Sequence, residues 1–193
     1  MNIIGVTNRK LCKDFYKRIN EISKEELKYL ILREKDLEYS ELKSISQRVK
    51  EILKNSNINL IINSNLRIAK EIDAAGVHLS YKDFIKGETK GYKGIVGVSV
   101  HNIEEAIEAE KQGASYILYG HVFETDCKKG IPPRGLKELK DICIMVNIPV
   151  YAIGGINKDN YKIVLDIGVY GIAIMSSLMK NNCLDKCCIK GIM

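Results

Sequence analysis

The chain has 193 residues, enough for one domain with a sizeable core and too few for two comfortable ones. Its 46% hydrophobic and 28% charged content is that of an ordinary soluble globular protein, and no apolar run approaches the ~18 residues of a membrane span. The formal charge of +6 attracts anions in general, but the lysines are scattered over helix faces and form no stripe interleaved with aromatics, so nucleic acid is not the expected partner.

Met1-Asn2-Ile3-Ile4 enters a strand at once, with no basic region ahead of a longer apolar run, so no leader is expected. The six cysteines include no C-x-x-C pair and read as free thiols of a reducing cytosol, which makes the expected location cytoplasmic. Short β-branched runs predict strands at Asn2–Thr7, Lys28–Leu32, Asn59–Ile62, Gly76–Leu79, Gly94–Val98, Ser115–Tyr119, Pro149–Ile153 and Gly171–Met175. Leu42, Ile45, Val49, Ile52 and Leu53 predict a helix over Ser40–Lys54. Asn102-Ile103-Glu104-Glu105 resembles a capping box, Leu136, Leu139, Ile142 and Val146 form another helical stripe, and Asn157 is placed to cap the helix of Tyr161, Val164 and Leu165. The crossover Tyr81–Lys93 is the weakest helical segment, and the last one, from Leu178, is short.

Strands alternating with helices imply parallel pairing, and eight such strands close a (β/α)8 barrel. An open doubly wound sheet would normally carry a Gly-rich first turn, whereas this one reads Thr7-Asn8-Arg9-Lys10. The expected architecture is a single-domain α/β TIM barrel, with the barrel proper over residues 2–180 and a short tail. Cys183, Cys187 and Cys188 in that tail have no histidine or acidic neighbours at zinc-finger spacing, so a frayed terminal helix is expected there rather than a metal cluster.

Barrel enzymes carry their chemistry where strands run into the following loops. Those positions hold Arg33-Glu34-Lys35, Asn63-Ser64, Ser80 with Asp83, Ser99 with His101, Gly154-Gly155 and Ser176-Ser177. Gly154-Gly155 and Ser176-Ser177 fit the phosphate site that such barrels build after strands seven and eight, because glycine lets backbone N–H groups approach an anion. His78 within its strand and His101 beside a helix cap are expected to be structural, and Asp83 with Asn63 and Ser64 makes a thin magnesium site.

After the sixth strand the stretch Tyr119–Gly130 begins a connection of about fifteen residues, long where two to six is usual, which marks a binding loop or lid. It holds His121, Phe123, Thr125, Cys127, Lys128 and Lys129, then the stiff pair Pro132-Pro133. An imidazole titrating near working pH, hydroxyls and cations suit a small anionic substrate, and His121 is the expected proton-transfer group.

Leu32-Arg33-Glu34-Lys35, Ile62-Asn63, Gly76-Val77-His78-Leu79, Gly97–His101, Gly120–Thr125, Ala152–Ile156 and Ile174-Met175-Ser176, taken together and in order, resemble the thiamin phosphate synthase/TenI superfamily over almost the whole chain. Its synthases couple a pyrimidine pyrophosphate to a thiazole phosphate with magnesium. Where their pattern has Gln, Asn-Asp and Thr-x-Thr-Lys, this chain has Ile31, Asn63-Ser64 and Thr125-Asp126-Cys127-Lys128. The loop Gly120–Gly130 looks like that of the thiazole tautomerase branch.

The resemblance therefore implies an isomerase of thiamin biosynthesis, a tautomerase that aromatises a carboxylated ylidene-thiazole phosphate without metal or organic cofactor. His121 would move the proton and Phe123 would help wall the site. Arg33, Lys35, Asn63, Ser99, Thr125 and Lys128 would hold substrate, and Gly154, Gly155, Ser176 and Ser177 would take the phosphate. Two alternatives stay open, a magnesium-dependent synthase acting on the thiazole phosphate and a non-catalytic regulator that binds it. The oligomeric state is left open, a homo-oligomer included.

Overall fold

A computed structural model of the chain describes residues 1–128 and 130–180; Cys183, Cys187 and Cys188 lie outside the described residues. The strands β1 (Asn2–Val6), β2 (Tyr29–Leu32), β3 (Asn59–Asn63), β4 (Gly76–Ser80), β5 (Ile95–Val100), β6 (Tyr116–Gly120), β7 (Val150–Ile153) and β8 (Gly171–Ile174) pair in chain order. All pairings are parallel, and β8 closes on β1 through Asn2 opposite Gly171 and Ile4 opposite Ala173. The result is the expected TIM barrel. Its helices are α1 (Phe15–Ile22), α2 (Tyr39–Leu53), α3 (Leu66–Glu71), α4 (Tyr81–Phe84), α5 (Ile103–Lys111), α6 (Lys137–Met145), α7 (Tyr161–Asp166) and α8 (Ser176–Met179). None in the described residues is long and apolar enough to cross a membrane.

Strand parity divides the apolar side chains between two cores. Ile3, Leu30, Ile62, Val77, Val98 and Ile117 belong to the layer between strands and helices. Their alternate neighbours Ile4, Ile31, Ile61, Tyr116, Leu118 and Ala173 fill the barrel interior, as the period of two requires. The largest of these, Tyr116, occupies space that β5 vacates: a Cβ on Gly97 would lie 2.1 Å from the Tyr116 ring. A side chain at residue 97 would therefore expel the ring on which the inner layer is built.

Helix starts follow the capping chemistry with two shifts. Asn102 accepts from the Glu105 amide at 2.8 Å, while the Glu105 carboxylate reaches back to the amide of His101 at 2.7 Å, one residue before the position a strict capping box uses. In the seventh crossover the N-cap is Asn160 rather than Asn157. Asn157 instead bonds the amide of Asp159 and makes the turn before the helix.

Candidate active site at the C-terminal mouth of the barrel

Arg33 and Asn63 lie two residues beyond the inward-facing Ile31 and Ile61, and Ser99 lies two beyond Gly97, so the same alternation that packs the interior brings these three to one mouth. Between Arg33 and Lys35, Glu34 does something different. It is only 5% exposed and accepts from Thr7 Oγ1 at 2.7 Å, from the Arg9 amide at 3.0 Å and from the Arg9 guanidinium at 3.3 Å. Thr7 Oγ1 in turn accepts from the Arg33 amide at 3.0 Å. Glu34 thus clamps the end of β1 to the end of β2, and Arg33 leaves from a fixed backbone.

Arg33, Lys35 and Lys128 share this mouth. Repulsion from Arg33, then partial burial, then repulsion from Lys128 hold the Lys35 amine below its ordinary pKa. Burial, and after it the charge of Arg33, lower the His78 imidazole to about 3, which keeps it neutral. His101 is pushed down by burial first, then by Arg134, with Lys128 adding to it. A surface of like charges this close is the electrostatic form of an anion site.

The connection after β6 folds back on the barrel. The Arg134 amide donates to the His121 carbonyl at 2.9 Å, and its guanidinium donates to the His101 carbonyl at 2.6 Å, tying the end of the loop to β5. Lys128 and Thr125 line an open cleft of about 550 Å³ together with Glu124, Ile131 and Pro132. Phe123 is half-buried against the outer core, and its amide donates to the Gly154 carbonyl at 3.0 Å. His121 is only 6% exposed, and its Nε2 donates to the Ile131 carbonyl at 3.1 Å. In this geometry the ring staples the loop closed on itself.

Gly154 and Gly155 adopt positive φ, and a Cβ on either would strike this loop, 2.3 Å from the His121 Cβ and 2.4 Å from the Glu124 carbonyl. The pair is needed for the loop to lie flat on the end of β7, a requirement separate from any phosphate. Ser176 and Ser177 begin α8, and the Cys127 thiol lies 3.8 Å from Ser176 Oγ, so the loop also reaches the β8 side of the mouth. Arg18, buried beneath α8, donates to the carbonyls of Leu178 and Lys180 and fixes that short helix in place.

His78 and Ser99 meet, since His78 Nε2 is 2.7 Å from Ser99 Oγ and Nδ1 is 3.0 Å from the Tyr116 hydroxyl. Asp83 accepts from Ser80 Oγ at 2.7 Å and from Lys86 at 2.7 Å. No group of three or more His, Cys, Asp or Glu side chains able to hold a metal occurs among the described residues. Sequence reasoning passed over Arg134 and Tyr116. The signal for Tyr116 was its inward parity opposite Gly97; for Arg134 it was only a cation following two prolines.

Residues 3–178 match the family model described as thiamine monophosphate synthase. The chain belongs to that family. It is 41% identical over 179 residues to the thiamine-phosphate synthase of Clostridium acetobutylicum, covering 90% of this chain and 85% of the relative. To the thiamine-phosphate synthase of Clostridium novyi it is 43% identical over 155 residues, 78% of this chain and 76% of the relative. Among solved structures, the thiamine phosphate pyrophosphorylase of Pyrococcus furiosus superposes with a TM-score of 0.86 at 33% identity, covering 96% of this chain and 91% of that one.

These likenesses correct the expectation of a thiazole tautomerase. Relatives at 41–43% identity bear the name of the synthase, the transferase that stood as the first alternative. The tautomerase reading leaned on the local likeness of the loop Gly120–Gly130, and likeness over 90% of the chain outweighs it. Membership of an enzyme family stands; the isomerase does not.

Proposed function

We propose that the protein is a thiamine-phosphate synthase, a transferase that joins a pyrimidine, delivered as its pyrophosphate, to the ring nitrogen of a thiazole phosphate. The observation that carries this reading is the 41% identity over 90% of the chain to a protein of that name. The grouping of Arg33, Lys35 and Lys128 supports it, because the reaction has a large anion to bind and then to release. As the carbon–oxygen bond to the pyrophosphate breaks, the electron pair leaves with the oxygen, and fixed cations there stabilise the charge that develops. The thiazole nitrogen supplies the pair for the new bond. Backbone groups of Gly154, Gly155, Ser176 and Ser177 would hold the thiazole phosphate, with Asn63, Ser99 and Thr125 bonding the remaining polar atoms.

Magnesium belongs to this reading as a cofactor, and the donor set fits an ion held chiefly by water and substrate phosphate with one protein carboxylate, Asp83. When bound, it would neutralise part of the pyrophosphate charge. Asp83 would have to give up its bond from Lys86 for that role, while its bond from Ser80 would keep the carboxylate oriented.

The test is incubation of the purified protein with magnesium, the pyrimidine pyrophosphate and the thiazole phosphate. Thiamin phosphate and pyrophosphate should form in equal amounts, and formation of neither product overturns the proposal.

A further inference from the structure

A polar chain of Tyr116, His78 and Ser99 runs from the barrel interior to the mouth. Tyr116 lies with its ring centroid 5.6 Å from that of His78 and 5.5 Å from that of Tyr29, and meets Tyr151 edge-on at 5.7 Å. Its hydroxyl, deep in this stack, bonds His78 Nδ1 at 3.0 Å, and the other imidazole nitrogen bonds Ser99 Oγ at 2.7 Å. His78 is 3% exposed and neutral, so its ring carries one proton for two hydrogen bonds. Which nitrogen carries it decides what Ser99 presents to a substrate.

Suppose Nδ1 carried the proton. Tyr116 would then accept from it, and the phenolic hydrogen would be left buried, since His78 is the hydroxyl's hydrogen-bond partner among the described residues. An orphaned buried donor is rarer and costs more than an acceptor with a spare lone pair. In the other arrangement Tyr116 donates to Nδ1, and the ring proton sits on Nε2. Nε2–H then donates to Ser99 Oγ, and every hydrogen in the chain has an acceptor except that of Ser99. That last hydrogen is free to turn into the mouth.

We infer that Tyr116 and His78 act as positioning residues that hold Ser99 as a hydrogen-bond donor aimed at an anionic oxygen of the substrate. The inference deepens the proposed function by giving Ser99 a direction, and it rests on that reading only for the identity of the anion. Ser99 sits at the end of β5, and Arg33 of the same mouth lies near enough to His78 to act on it electrostatically. A hydroxyl forced to donate adds to the cations there. One forced to accept would oppose them.

The experiment has two readings. Nitrogen-15 spectra of the protein labelled at histidine, with His78 assigned by its loss in His78→Gln, should show Nε2 protonated and Nδ1 as the bare acceptor. Tyr116→Phe should collapse that preference into a mixture of tautomers. In parallel, calorimetry with inorganic pyrophosphate and magnesium should find binding about tenfold weaker in Ser99→Ala, the loss expected for a hydrogen bond to a charged group. Tyr116→Phe should be weakened in the same direction, and the double variant no further than Ser99→Ala alone, because both changes remove one interaction. Protonation at Nδ1 in the wild-type protein overturns the inference, as do additive losses or unchanged affinity in the single variants. Wild-type protein that binds no pyrophosphate would count against the proposed function, and the nitrogen assignment would still decide the orientation of Ser99.

Discussion

Glu34 stands between two residues assigned to substrate, yet its carboxylate is spent on Thr7 and Arg9. Removing it would leave the buried Thr7 hydroxyl and the part-buried Arg9 amide without their acceptor. Glu34→Ala should therefore cost about 3 kcal/mol of stability, read from urea unfolding, the range for breaking a buried charged network. A loss below about 1 kcal/mol would show that the clamp is replaceable. His78 makes a second prediction at this scale. Its folded value of about 3 lies below the ordinary 6.5, so as pH falls below 6.5 the unfolded chain takes up a proton that the native chain refuses. Stability is thus fully present above 6.5 and declines as pH falls toward about 3. The slope from this one group approaches about 1.4 kcal/mol per pH unit. His78→Gln should show a correspondingly shallower acid limb in denaturation curves across that window, and an unchanged slope would place the titrating group elsewhere.

At the scale of elements, the loop after β6 and the turn after β7 form one unit. Gly155 at φ +68 sits under the Glu124 carbonyl, and a Cβ there would be 2.4 Å from it. Gly155→Ala should lift the loop and destabilise the protein by about 1–3 kcal/mol, the strain of a non-glycine residue held at positive φ added to the clash. Amide exchange would locate the change, with faster exchange at Phe123 and Gly135, whose amides bond Gly154 and Val122. Unaltered exchange there would separate the glycine from the loop. This coupling shows how far the sequence could be read. The strands were legible as short runs of β-branched and other apolar residues between helical segments, and their C-terminal ends pointed to Arg33, Asn63 and Ser99 as mouth residues. The fate of His121 was not legible. Whether its ring faces solvent or Ile131 depends on a fold-back ten residues later, and no local pattern encodes that. Four-residue helices such as α4 and α8 likewise give too few turns for periodicity to register. The tautomerase expectation was read from one loop, and a segment of about ten residues weighs little against likeness over 90% of the chain.

For the whole molecule, the net charge of +6 mattered less than where the cations stand. Many lysines are scattered over the exposed surface, while Arg33 and Lys128, from two different loops, both repel Lys35 at the mouth. Lys35 follows β2 and Lys128 follows β6, so the cluster exists only once the barrel closes. Such a cluster attracts an anion over a distance comparable with the Debye length, about 10 Å at 0.1 M salt. Affinity for inorganic pyrophosphate should accordingly fall with added sodium chloride, steeply in the wild-type protein. In Lys35→Gln/Lys128→Gln the fall should be much shallower, and the two proteins should converge at high salt, where the field is screened and only short contacts remain. A control that neutralises two helix-surface lysines, Lys111 and Lys140, changes the net charge equally and leaves the mouth intact. If that control flattened the salt dependence as much as the mouth variant, overall charge rather than the site would be what draws the anion in.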